Sequence, residues 1–93
     1  MGLLSENQIS AGLSRLDGWK RDGASIRRNV EFPSFSAAIA FVNRVAAAAD
    51  QADHHPDIDI RYTRVLLTLS THSAGGITDR DLALAGQING LVT

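Results

Sequence analysis

Cysteine is absent from the 93-residue chain, so disulfide frameworks, thiolate zinc sites and cysteine nucleophiles are excluded. Neither sign of charge is in excess. Nine Lys+Arg stand against ten Asp+Glu, a net charge of −1, which argues against the basic face a nucleic-acid binder requires. Long apolar runs are also missing: the longest strongly apolar stretch, Val45–Ala49, falls far short of the ~20 residues of a membrane-spanning helix. No basic segment leading into an apolar stretch opens the chain, so no signal peptide is expected. Met1-Gly2 suggests myristoylation, but Glu6 stands where that motif wants Ser or Thr. What remains is one soluble, cytoplasmic domain, burying a little over ~60% of its unfolded surface. Without covalent staples, a domain of this size relies on packing and on contacts between subunits.

The positive signals are periodicities. Ser5 and Gln8 have capping-box spacing, and Ile9, Leu13 and Leu16 follow at helical intervals before Asp17-Gly18 ends the segment. Trp19–Arg21, a turn at Asp22-Gly23 and Ser25–Phe32 read as a hairpin. Ile26, Val30 and Phe32 share one face of its second strand and Arg27, Asn29 and Glu31 the other, while Arg28 falls on the apolar side. Pro33-Ser34 opens the clearest helix, with a stripe of Phe35, Ala38, Ile39, Val42, Val45, Ala46 and Ala49. That helix is expected to end near His55, because Pro56 disfavours helical geometry in the residue before it.

Beyond it, Ile58, Ile60 and Tyr62 alternate with Asp57, Asp59 and Arg61 as in a strand. Thr63–Thr71 forms the next strand, with Val65, Leu67 and Leu69 on one face. Gly75-Gly76 reads as a loop, and Thr78 with Asp81 has capping-box spacing for a last helix carrying Leu82, Ala85, Ile88 and Val92. Trp19 and Tyr62 read as core packing with polar tips at the rim. The order α-β-β-α-β-β-α with hairpin-length links predicts one α+β domain over residues 1–93. Its sheet is antiparallel, of about four strands, with helices packed on one face.

All three histidines fall between residues 54 and 72. His54-His55-Pro56 marks a helix-to-strand junction, His72 the end of the following strand, and Asp50, Asp53, Asp57 and Asp59 crowd the same window. On a continued helix Asp50 would share a face with Asp53 and His54. Acids near a helix C-terminus gain nothing from its dipole, so local stability supplies no reason for Asp50 and Asp53. A histidine titrates near neutrality and can give a proton and take one back, which is the requirement of general acid–base work. Blander readings stand beside this one. Adjacent turn histidines are often merely solvated, and imidazole with carboxylate also suits a metal. Consecutive extended side chains point apart, however, so a single metal is not expected to take both His54 and His55. Asp81 has a structural role available as the N3 partner of Thr78, and Gly75-Gly76 serves a tight loop or a phosphate cradle.

The run Asp53-His54-His55-Pro56, Tyr62, Leu69-Ser70-Thr71-His72, Gly76-Ile77-Thr78 and Arg80-Asp81 resembles the pterin-4a-carbinolamine dehydratase family. Gly18-Trp19, the strand ending in Phe32 and the segment Phe35 to Val45 extend that resemblance over nearly the whole chain. It implies a hydro-lyase that removes water from 4a-hydroxytetrahydropterin to give quinonoid dihydropterin, recycling the tetrahydropterin cofactor. It implies no metal and no organic cofactor, a pterin substrate, and a homodimer or homotetramer. The family's active-site histidines fall on His54, His55 and His72, with supporting acids at Asp50, Asp53 and Asp81 and pterin contacts at Ser70 and Thr71. Two departures stand out: Asp50 replaces a family Glu, and Ile58 replaces the Trp of the vertebrate form. Acid–base roles are expected for His54 and His72, and pterin positioning for His55. The alternatives are a pterin-binding or protein-interaction module of the coactivator kind on the same scaffold, and a related enzyme of molybdopterin metabolism.

Overall fold

In the computed structural model, which describes residues 2–92, three α-helices and a four-stranded antiparallel sheet alternate in the expected order. The elements are α1 (Glu6–Leu13), β1 (Lys20–Asp22), β2 (Ser25–Glu31), α2 (Phe35–Ala52), β3 (Asp57–Arg61), β4 (Arg64–Leu69) and α3 (Asp79–Asn89). A single 3-10 turn, His72–Ala74, follows β4 and has no counterpart in the sequence reading. The strand order is β1-β2-β4-β3, so two hairpins meet along a central seam of β2 against β4.

Register sorts the residues between the faces. Ile26 lies opposite Leu69 and Val30 opposite Val65, and these four, with Leu67, are buried. Onto that face pack Ile9 of α1, Ala38, Phe41, Val45 and Ala49 of α2, and Leu84, Ala85 and Ile88 of α3. At about 25 cal/mol per Å² of apolar surface, these aliphatic contacts supply most of the drive to fold. Arg27, half-buried, and Asn29, exposed, lie on the other face.

The helix stripe read from sequence needs rotating. Phe35 is half exposed and Ala46 exposed, whereas Phe41, absent from that stripe, is fully buried. The α2 helix carries two adjacent apolar faces, and the one bearing Phe41, the largest fully buried side chain, turns inward. Phe41 then meets Phe32 with ring centroids 5.0 Å apart. Tyr62 also departs from expectation. It occupies the β3–β4 turn at φ 53°, is 75% exposed, and stacks on Phe35 at 6.5 Å rather than entering the core. Trp19 is buried as expected, its indole N–H donating to Asn89 at 2.8 Å. Elsewhere α1 stops at Leu13, earlier than Leu16, and Val92 lies beyond the end of α3.

Arg28 does lie on the helix-facing side, where its guanidinium bonds the Asn89 carboxamide. Gly18 is obligatory beside it, since its φ is 82° and a Cβ would stand 2.8 Å from Arg28 Nε. The beginning of the chain also docks, through Leu4 N–H on the Ile77 carbonyl at 3.0 Å.

Candidate active site

Two chain reversals build the site: the exit from α2 and the entry to α3. The α2 helix ends at Ala52, three residues before His55, because Asp53 adopts the left-handed conformation at φ 49°, ψ 43°. Asp53 N–H donates to the Asp50 carbonyl at 3.2 Å and His54 N–H to that of Ala49 at 3.1 Å. These two bonds form a Schellman closure, in which the left-handed residue is usually Gly. Asp is among the few side chains that tolerate that conformation. Asp53 therefore has a local structural reason to be there, contrary to the sequence argument that found none. The reversal also takes Asp53 and His54 off the helical face that Asp50 occupies.

At the entry to α3, Thr78 and Asp81 form the reciprocal capping box. Asp81 does more than cap. Its Oδ2 accepts the Thr78 backbone N–H at 2.9 Å and the Thr71 hydroxyl at 2.8 Å, while its Oδ1 lies 2.6 Å from His54 Nε2. Asp81 is fully buried, Thr78 likewise, Thr71 is 3% exposed and His54 8%. An ionised carboxylate only accepts hydrogen bonds, so each of its three partners must donate. His54 accordingly carries a hydrogen on Nε2, which leaves Nδ1 as the nitrogen free to take a proton. The Thr71 hydroxyl spends its one hydrogen on Asp81, so the contact between the Thr71 and Thr78 hydroxyls at 2.8 Å is donated by Thr78. Thr78 Oγ1 in turn accepts the Arg80 N–H at 3.2 Å. Both carboxylate oxygens and both threonine hydroxyls of the network are paired. That matters because an unpaired buried polar group costs about 1–3 kcal/mol.

His55 points elsewhere. Its Nε2 lies 3.0 Å from Asp50 Oδ1, with side-chain exposures of 59% and 78%. The shorter Asp thus reaches its histidine where the resembling family has Glu. A pair this exposed contributes little to stability, since median surface ion pairs are worth about 0–1 kcal/mol. His72 opens the 3-10 turn immediately after Thr71 and is exposed. The two neighbouring histidines therefore have separate carboxylate partners, and the third adjoins a ligand of the buried one. The Ser70 hydroxyl donates to the Ala24 carbonyl at 2.9 Å, tying the end of β4 to the β1–β2 turn. The Thr71 hydroxyl is thus committed to the buried network, whereas the Ser70 hydroxyl makes its bond at the exposed surface.

Sequence reading assigned no role to Arg80. Its Nη2 donates to the carbonyls of Ala52 at 3.2 Å and Asp53 at 2.8 Å, across from α3 to the end of α2. The available signal was an Arg next to the N3 acid, but nothing local says where so long a side chain reaches.

The fold and site define a class of small α+β domains in which one histidine sits on a buried, helix-capping carboxylate and two further histidines are exposed. The comparisons narrow that class. The family model described as pterin 4 alpha carbinolamine dehydratase matches residues 2–91, and the chain belongs to this family. A protein of Nocardia farcinica, provisionally named a pterin-4-alpha-carbinolamine dehydratase, is 58% identical over 89 residues, covering 96% of this chain and 94% of its own. The crystal structure of a transcriptional coactivator/pterin dehydratase from Brucella melitensis matches with a TM-score of 0.93 at 36% identity, covering 97% of this chain and 98% of that one. A pterin dehydratase-like RuBisCO assembly factor of the alpha-carboxysome shares the fold at a TM-score of 0.67 and 21% identity, over 80% of this chain and 86% of that one.

Proposed function

We propose that this chain dehydrates 4a-hydroxytetrahydropterin to quinonoid dihydropterin, using histidines as general acid and base. The observation that carries the reading is the His54–Asp81 pair at 2.6 Å, buried and bonded to Thr71, the residue preceding His72. The reaction breaks the C4a–O bond and the N5–H bond, forms the C4a=N5 double bond and releases water. The hydroxyl leaves only when a donor protonates it, and the N5 proton needs an acceptor. His54 and His72 fill these two roles. With Nε2–H held by Asp81, the Nδ1 lone pair of His54 suits the base, and the exposed His72 suits the acid. His55, in contact with Asp50, positions the pterin, and Asp53 contributes through the backbone turn that carries both histidines. Ser70 and Thr71 shape the strand end, Thr71 acting through Asp81. We read the working form as a cytoplasmic homodimer or homotetramer.

A coactivator-like interaction role is the second reading. The name of the Brucella protein and the exposed Phe35–Tyr62 stack both favour it.

The deciding experiment follows dehydration of 4a-hydroxytetrahydropterin, generated in situ, by absorbance against the spontaneous rate. Each acid–base group typically contributes about 10²–10⁴-fold. His72→Ala should lose activity on that scale with little change in melting temperature. His54→Gln, which keeps a donor for Asp81, should lose it as well. Wild-type turnover in His72→Ala would refute the role given to that residue. No acceleration by the folded wild-type protein would transfer the assignment to the interaction role.

A further inference from the structure

We infer that Arg80 is the positioning residue of the His54–His55 segment, acting through the backbone of the α2 exit rather than on the substrate. The kinetic part of this inference rests on the dehydratase reading; the structural part does not. The Schellman closure at Asp53 consumes the carbonyls of Ala49 and Asp50, and the last carbonyls of the turn, Ala52 and Asp53, remain to be satisfied. Arg80 Nη2 donates to both, at 3.2 and 2.8 Å. A cation there also complements the negative end of the α2 dipole.

Arg80 is itself anchored, since its N–H is held by the Thr78 hydroxyl of the α3 cap. Two consecutive residues of one helix start, Arg80 and Asp81, thus grip three consecutive residues of another helix end: Ala52 and Asp53 by their carbonyls, His54 by its ring. The non-glycine residue at φ 49° is the weak point of that turn. Such conformations persist only where surrounding contacts over-determine them.

The two histidines depend on Arg80 unequally. The His54 ring has its own buried anchor in Asp81, whereas the His55 ring meets only the exposed carboxylate of Asp50. His55 therefore takes its direction from the backbone that Arg80 fixes. Loss of Arg80 should disturb His55 more than His54, and substrate affinity more than turnover.

The test uses the full chain carrying Arg80→Gln or Arg80→Lys, each read by amide and histidine-ring NMR and by kinetics. In Arg80→Gln the amide signals of residues 52–55 and the His55 ring should move or broaden, with the His54 Nε2–H tautomer retained and the melt still cooperative. KM should rise, lowering kcat/KM by roughly ten- to a hundredfold, the scale of a small misplacement. Arg80→Lys keeps the charge without the planar fork and should recover part of that loss; should Arg80→Gln not fold, it carries the test. In an Asp53→Gly background, where the left-handed turn needs no support, Arg80→Gln should cost less than it does in the wild type. Unmoved signals at 52–55, or the same kinetic loss in both backgrounds, would overturn the inference. If the wild-type protein has no dehydratase activity, the NMR comparison alone decides it.

Discussion

The two ends of α3 both carry polar hubs, buried at the N-terminal end and half-buried at the C-terminal end, and they are completed in opposite ways. At the N-terminal end, Asp81 receives Thr78, Thr71 and His54, and both of its oxygens are engaged. At the C-terminal end a neutral amide is the hub. Asn89 Oδ1 accepts from Trp19 at 2.8 Å and from Arg28, and its Nδ2 donates to the Asp17 carbonyl at 3.2 Å. Arg28 has no carboxylate in that network, and its buried Nε lacks a hydrogen-bond partner among the described residues. Both charges suit the helix dipole, the anion at the N-terminus and the cation at the C-terminus. The difference lies in what they touch. The anion faces an imidazole, whereas the cation joins β2 to the end of α3. One end gathers donors around a carboxylate and the other ties elements together.

That contrast can be broken by substitution. The largest effect should follow Asp81→Ala, which leaves a buried histidine unpaired and removes the cap. Breaking a buried pair from one side costs about 3–5 kcal/mol. For a domain of this size that lowers the melting temperature by well over 10 °C, at roughly 4–8 °C per kcal/mol, and activity should fall with it. A smaller loss, about 2 kcal/mol, is expected for Asn89→Ala, which orphans the Trp19 indole and the Arg28 guanidinium. Per folded molecule, turnover should stay within about twofold of wild type if each unit of activity depends only on site geometry. A tenfold loss there would join the two ends functionally and dissolve the distinction. The smallest effect belongs to Arg28→Met. Replacing a half-buried charge that lacks a counter-ion, and whose Nε is buried without a partner among the described residues, by an apolar chain of similar length should be near neutral. A thermal melt showing a change within about 1 kcal/mol would sharpen the contrast, and a loss above about 3 would reveal an anionic partner for Arg28.

How far these regions could be read from sequence follows the range of the interactions. The elements were legible because capping boxes, alternation and helical spacing act over a few residues, as Ser5 with Gln8 and Thr78 with Asp81 demonstrate. The capping role of Asp81 was legible from its spacing to Thr78, but not its contact with His54, 27 residues away. The inward face of α2 was misjudged because Phe35 and Phe41 offer competing apolar faces, and only the sheet decides between them. The Schellman exit was hidden by an Asp where Gly would have announced it. Arg80 and Asn89 reach partners 27–28 and 61–72 residues away, respectively. No local spacing encodes such a reach.

The strand order has a consequence in time. Each outer strand pairs with its immediate neighbour in the chain, whereas the central seam joins β2 to β4 only after the whole of α2 has been laid across the sheet. Local hairpins close quickly, and contacts between distant segments form late. Once formed, the seam is enclosed by both hairpins, and the edge strands are the parts free to open on their own. Hydrogen exchange should therefore be slowest in β2 and β4 and faster in β1 and β3. Equal protection across the sheet would contradict this order. Thr71 and His72 continue from the slow seam, while His55 leads into the β3 edge. On this order the strand that His55 leads into should open sooner than the one that runs into His72, so local breathing should reach His55 before His72.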